Sequence, residues 1–303
     1  MSKTINFLGA ILIAGISILN YSCTKEGPEG PAGTNGTNGT NGANGTNGTN
    51  GTDGYGVVTP AQQTAYNAAN GKRGGVLYDN WTATESGITG IPAGVTAKPE
   101  FFRCKSCHAW DGLGNKASYI NRMGTASRPN VASSNLRMYA SSYSISQIFD
   151  AIKYTGGRLK ATNASYSDVM PDYSNLLSDN DIWDLVKYLK EEAINTDLLY
   201  DYQTTGTYST TATITYSNIG KDGSATAGDT YYTSNCASCH GADGKLISTS
   251  IVGKLGRTKP NEVWHKVKFG QLGSTMNAGF NSITTQELKD LYVALQNTTK
   301  YPD

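Results

Sequence analysis

Ile182, Leu185, Val186 and Leu189 recur at the spacing of an amphipathic helix, and Leu288, Leu291, Tyr292 and Leu295 repeat the pattern near the C-terminus. Each stripe has a start signal. Ser178 is placed as an N-cap, with Asp179 and Asp181 in the electropositive first turn. Thr284 and Glu287 have the spacing of a capping box. Both stripes predict helices that pack a core and do no chemistry. A second matched pair lies upstream: Gln147–Tyr154 aligns with Glu262–Phe269, and Gly156 or Gly270 follows as a helix stop. Between Leu198 and Ser217 the period changes. Thr211-Ala212-Thr213-Ile214-Thr215-Tyr216 alternates roughly by two and predicts a short β-ribbon.

The N-terminal pattern is different. Phe7 to Leu19 is a continuous apolar stretch behind Lys3. Its thirteen residues are too few to span a bilayer, where roughly 20 are needed, and fit an export signal over residues 1–22. Asn20-Tyr21-Ser22 then leads to Cys23. This resembles a bacterial lipoprotein signal, although Asn20 stands where an apolar residue is usual and Tyr21 is bulky. The resemblance makes Cys23 the lipidated residue and places the chain on a bacterial cell envelope membrane, at the periplasmic face or cell surface. From Gly27 to Gly54 every third residue is Gly. Only Pro28 and Pro31 stiffen the tract, so a polar, disordered spacer is expected; a collagen-like stalk that makes a trimer is the alternative. Such a spacer reaches roughly 30 Å as a coil and roughly 85 Å if extended.

Composition narrows the picture. Twenty-five basic residues against 24 acidic ones give a formal charge of +1, so no basic field points to nucleic acid. Of five cysteines, four sit in two copies of one pentapeptide: Cys104-Lys105-Ser106-Cys107-His108 and Cys236-Ala237-Ser238-Cys239-His240. With Cys23 assigned to lipid, none remains for a disulfide, although an exported chain would allow one. Cys-x-x-Cys-His attaches c-type haem: each Cys forms a thioether and the His becomes an axial iron ligand. Two copies imply two covalent haems, held by Cys104 and Cys107 with His108, and by Cys236 and Cys239 with His240.

Each iron then needs a sixth ligand unless it is an open catalytic centre. Only one further histidine exists, His265, so two bis-His haems are impossible by count. Met170 precedes Ser178 by eight residues, and Met276 precedes Thr284 by eight. Two loops thus place a Met at one offset from equivalent helices. Met170 precedes Pro171, which favours an extended backbone; Asn277 replaces that Pro in the second copy. Met123 and Met138 lie before the middle helix and are expected to fill core. His265 aligns with Asp150 and is expected at the surface or a haem rim. Trp110, Trp183, Trp264 and Tyr154 are expected as core aromatics, with lining the haems as the alternative, and Arg122, Arg128 and Arg137 are candidates to face propionates.

These residues carry a resemblance. Phe102-Arg103-Cys104-Lys105-Ser106-Cys107-His108-Ala109-Trp110-Asp111-Gly112 with Met170-Pro171, and Asn235-Cys236-Ala237-Ser238-Cys239-His240-Gly241-Ala242-Asp243-Gly244 with Met276, resemble class I cytochrome c domains. The first half departs from a minimal domain in its insert, Asn115 to Tyr143, and in its preface, Gly74 to Trp81. The resemblance implies an all-α fold, haem c and electron transfer between redox protein partners. The expected organisation is a signal (1–22), a lipid-anchored Gly-rich linker (23–58), domain 1 (59–197), a β-ribbon or loop strap (198–221) and domain 2 (222–303). A dihaem electron relay is the leading expectation. Its rival is a dihaem enzyme, peroxidase-like or thiosulfate-oxidising, with one open catalytic haem.

Overall fold

The computed structural model describes residues 56–153, 170–276, 279–280 and 282–303. The expectations for the export signal, Cys23, the Gly27–Gly54 tract, Tyr154, Gly156 and Asn277 lie outside these residues.

The described chain is mainly α, with one two-stranded sheet. The first half runs through α1 (Pro60–Ala68), α2 (Gly71–Asn80), the single turns α3 (Ala93–Thr96) and α4 (Pro99–Phe102), α5 (Cys104–His108), α6 (Leu136–Ser142), α7 (Ile145–Lys153) and α8 (Asp179–Lys187). A π-type turn at Tyr188–Glu192 extends α8. Strands β1 (Asp201–Thr205) and β2 (Thr213–Ser217) form an antiparallel hairpin, with Asp201 opposite Ser217. The second half has α9 (Ala225–Asn235), α10 (Ala237–His240), α11 (Val252–Thr258), α12 (Pro260–Phe269) and α13 (Thr285–Leu295). No helix among the described residues is long and apolar enough to cross a membrane.

The caps form as their residues dictate. Ser178 accepts from the Asp181 N–H while the Asp181 side chain accepts from the Ser178 N–H, and Thr284 and Glu287 do the same for α13. Ile182, Leu185, Val186, Leu288, Leu291, Tyr292 and Leu295 are buried.

Each half is organised by one helix crossing. α2 crosses α8 at Gly74, where a Cβ would lie 2.0 Å from the Asp184 carbonyl oxygen; α9 crosses α13 at Gly228, where it would lie 1.9 Å from that of Asp290. Only glycine permits that approach. Asp184 and Asp290 then cap the crossing helices: Asp184 accepts from the Asn70 N–H at 2.6 Å and Asp290 from the Ser224 N–H at 2.7 Å. The two halves are therefore repeats, and Gly74 to Trp81 corrects the sequence reading. It belongs to the counterpart of α9 rather than to an added preface. The added segment is Thr82–Arg103, between that helix and the first motif.

The hairpin connects the halves. Tyr208 Oη donates to the Arg122 carbonyl at 3.0 Å, in the first half's insert, and Tyr216 Oη donates to Asn261 Oδ1 at 2.9 Å on α12. α12 itself packs against α2.

Substituting Gly228→Ala should force α9 and α13 apart. Overpacking of this kind costs about 1–3 kcal/mol, or more where backbone must move. A fall in denaturant midpoint at constant m-value is expected; an unchanged midpoint would contradict the crossing.

Candidate haem-attachment sites

The repeat crossing places both pentapeptides. From α2, Tyr78 reaches the residue after the first motif, its Oη donating to the Ala109 carbonyl at 2.6 Å. From α9, Tyr232 Oη donates to the Gly241 carbonyl at 2.8 Å. Both acceptors sit at positive φ, 60° for Ala109 and 82° for Gly241, where the chain leaves the short motif helix. The sequence comparison missed this tyrosine pair. Its signal was present: each Tyr lies four residues after the crossing glycine.

In the second half, Cys236, Cys239, His240 and Met276 all line one cleft of about 390 Å³. Its other walls are mostly apolar and include Val263 and Val267 of α12 and Leu291 and Leu295 of α13. Burial pushes the Cys236 thiol up to about 11 and lowers the pKa of His240. His240 Nδ1 is buried without a hydrogen-bond partner.

In the first half His108 is half-buried, and burial lowers its pKa to about 4. Its Nδ1 lies 3.0 Å from Ser134 Oγ, a contact that orients the ring and leaves Nε2 free for a metal. Burial raises the Cys104 thiol to about 12, against a smaller opposing pull from the Tyr173 hydroxyl. Tyr173 also donates to the Phe102 carbonyl at 2.8 Å. It follows Met170 by three residues, so it anchors the Met170 loop beside the first motif. Met170 is half-buried against the same core as Cys104.

This donor set fits covalent haem c. Each half has two thiols one helical turn apart, an adjacent imidazole and a half-buried thioether. It fits zinc poorly, because each half offers two thiols and one imidazole beside a thioether, and zinc does not take the thioether as its fourth ligand. Among the described residues no cluster of three His, Cys, Asp or Glu side chains is arranged to hold a metal ion.

The candidate propionate arginines have protein partners. Arg122 pairs with Glu100 at 3.3 Å, Arg137 with Asp197 at 3.1 Å, and Arg128 donates to the Met123 carbonyl at 2.6 Å. Trp110, Trp183 and Trp264 are buried in the core. Met138 is no core filler: it is 48 % exposed on α6. A second cavity, of about 600 Å³, lies beside Trp110 and Trp264 and contains no motif residue or axial candidate.

His265 is the largest departure from the sequence reading. It is 0 % exposed rather than at a surface or rim, and both ring nitrogens lack hydrogen-bond partners. Its counterpart Asp150 is half-buried, because α7 has one covered face. α12 is covered on two, by its own domain and by α2. Burial lowers the His265 pKa to about 3, against smaller opposing effects of Asp79 and the Gly75 backbone.

Comparison with known families gives two matches, one in each half. A cytochrome c family model matches residues 97–192, and a model described as cytochrome c oxidase, cbb3-type, subunit III matches residues 223–293. No curated protein and no solved structure matches the chain significantly. The two matches support a c-type cytochrome, and cytochrome c domains support covalently bound haem and haem-based electron transfer.

The pKa of His265 sets a pH dependence. Its folded value, about 3, lies below the ordinary 6.5, so below pH 6.5 the unfolded chain binds the extra proton. The contribution of neutral His265 is complete above pH 6.5 and is lost as pH falls toward 3. His265→Phe should show a shallower loss of stability than the parent between pH 6.5 and 4 in parallel denaturant titrations. Identical slopes would show that the imidazole is not held neutral.

Proposed function

We propose that the chain is a dihaem electron carrier, tethered to a membrane of the cell envelope, that passes electrons between redox protein partners. The observation that supports this most is the second cleft, where both cysteines, His240 and Met276 meet. Bound covalently there, haem c would supply an iron that cycles between Fe(III) and Fe(II), with a potential raised by a Met ligand.

The protein's part is to hold and enclose. Cys104 and Cys107, and Cys236 and Cys239, would hold one porphyrin each. His108 and His240 would be proximal ligands, and Met170 and Met276 the opposite ones. Ser134 keeps the His108 ring in one orientation. Apolar walls exclude water, which limits reorganisation when charge changes. A Met for each iron leaves no coordination position for a substrate, so the carrier reading is preferred to a dihaem enzyme. The tether rests on the sequence: lipid at Cys23 and a Gly-rich spacer long enough to let the domains reach partners.

The native protein should carry two haems by mass and show Met–iron charge-transfer absorption without a high-spin signal. Met276→Ala should lower one midpoint potential and leave the other, with half of the Met–iron band lost. One haem per chain, or peroxide turnover by the unmodified protein, would overturn the reading. Separately, Cys23→Ser should move the protein from the membrane fraction to the soluble fraction. Retention in the membrane would remove the lipid anchor from the proposal.

A further inference from the structure

The two attachment sites meet across α12, and the contact is aromatic. His265 points away from the second cleft into five rings. Trp110 lies at 4.7 Å between ring centroids, Tyr188 at 5.9 Å and Tyr78 at 6.0 Å, all from the first domain. Phe269 at 4.8 Å and Trp264 at 5.2 Å come from α12 itself. Both walls of this box touch haem-site machinery. Trp110 follows His108 by two residues, and Tyr78 hydrogen-bonds the carbonyl of Ala109, directly after His108. On the other side Val263 and Val267, two residues before and after His265, line the second cleft. A single helix thus presents one face to the second site and the other to the first. At the rim, Lys268 Nζ pairs with Glu192 Oε2 at 2.9 Å, and Lys268 is itself buried. The join is therefore packed and locked, not a loose linker contact.

His265 is 0 % exposed and fills the space between the two sites with a packed ring. Its position gives it a use. We propose that His265 and Trp110 are positioning residues for electron exchange between the two haem sites, and that the shortest packed route between them runs Trp110–His265–α12. This rests on the dihaem carrier reading. The step is one electron from Fe(II) at one site to Fe(III) at the other; no bond forms or breaks. No proton need accompany it, because His265 is 0 % exposed and enclosed by aromatic rings. Electron tunnelling weakens steeply where packed atoms are replaced by empty space, and an alanine in a rigid core leaves a cavity that collapses only partly.

The test is the rate of inter-haem equilibration after rapid photoreduction of the holoprotein, read beside both midpoint potentials, both haem spectra and the inter-iron distance from spin-relaxation of the fully oxidised form. His265→Ala should slow equilibration by about tenfold or more through the cavity it opens, with potentials and spectra unchanged. Trp110→Leu opens the route from the other side and should do the same; it serves where His265→Ala loses haem. His265→Phe restores a packed ring and should return the rate to within about twofold of the parent, with the parental rate itself constant between pH 5 and 8. Lys268→Met removes the rim pair but leaves the box and should change the rate little. Parental rates in both His265→Ala and Trp110→Leu, with two haems retained, would overturn the route and leave the carrier reading standing. A second haem missing from the unmodified protein would instead overturn that reading.

Discussion

Each domain depends on a helix crossing so close that a single glycine hydrogen marks its limit. At Gly74 and Gly228 a methyl group would occupy the space of a partner carbonyl oxygen. The close approach lets Asp184 and Asp290 reach across and cap the crossing helices. It also brings Tyr78 and Tyr232 over the chain just beyond each Cys-x-x-Cys-His. Their hydroxyls hold a backbone turn at positive φ, which ends the motif helix directly after the His. The motif side chains are thereby set by packing remote from them: one backbone contact positions the tyrosine, and the tyrosine positions the turn.

The same crossing recurs in both halves, and the differences between them follow from what surrounds it. In the first half, Thr82–Arg103 intervenes between helix and motif and supplies Phe101, Phe102 and Glu100. The phenylalanines are buried, and Glu100 pairs with Arg103 and Arg122. In the second half, α9 leads into the motif with no insertion. The first motif is consequently preceded by two buried rings and a paired carboxylate that the second lacks. The hairpin adds contacts to the first insert and to α12, so the strap braces both halves instead of merely connecting them.

Much of this was legible in the sequence because it is local. The capping residues Ser178 and Thr284, the two apolar stripes and the period-two run at 211–216 each carry their information within a few positions. The matching offsets of Met170 and Met276 could be read because both are counted from a cap. His265 could not be placed this way. Its alignment with Asp150 is sound, but burial on α12 comes from the other domain, and a repeat compared with itself carries no record of what docks on it. Gly74 to Trp81 was misread for a related reason. An insertion separates the helix from its motif, so adjacency, the cue that worked for α9, failed. Met138 is exposed because α6 lies on the insert's outer side, a tertiary fact with no periodic trace in seven residues.

Enclosure makes the two sites unequal, and the inequality has a direction. Both motif histidines are half-buried, but His108 Nδ1 has Ser134 Oγ as partner while His240 Nδ1 has none, and Cys107 is half-buried where Cys239 is exposed. Burial disfavours the extra positive charge of an oxidised iron, while a hydrogen bond to the far nitrogen makes an imidazole a stronger donor and favours it. The two effects oppose each other at the first site. The second has neither in full, so its potential would be set mainly by solvent and by Met276. Leu246, 70 % exposed, donates its N–H to the His240 carbonyl at 2.9 Å, so the backbone of His240 lies one residue layer from the surface. On the carrier reading, the exposed Cys239 makes the second site the more open of the two.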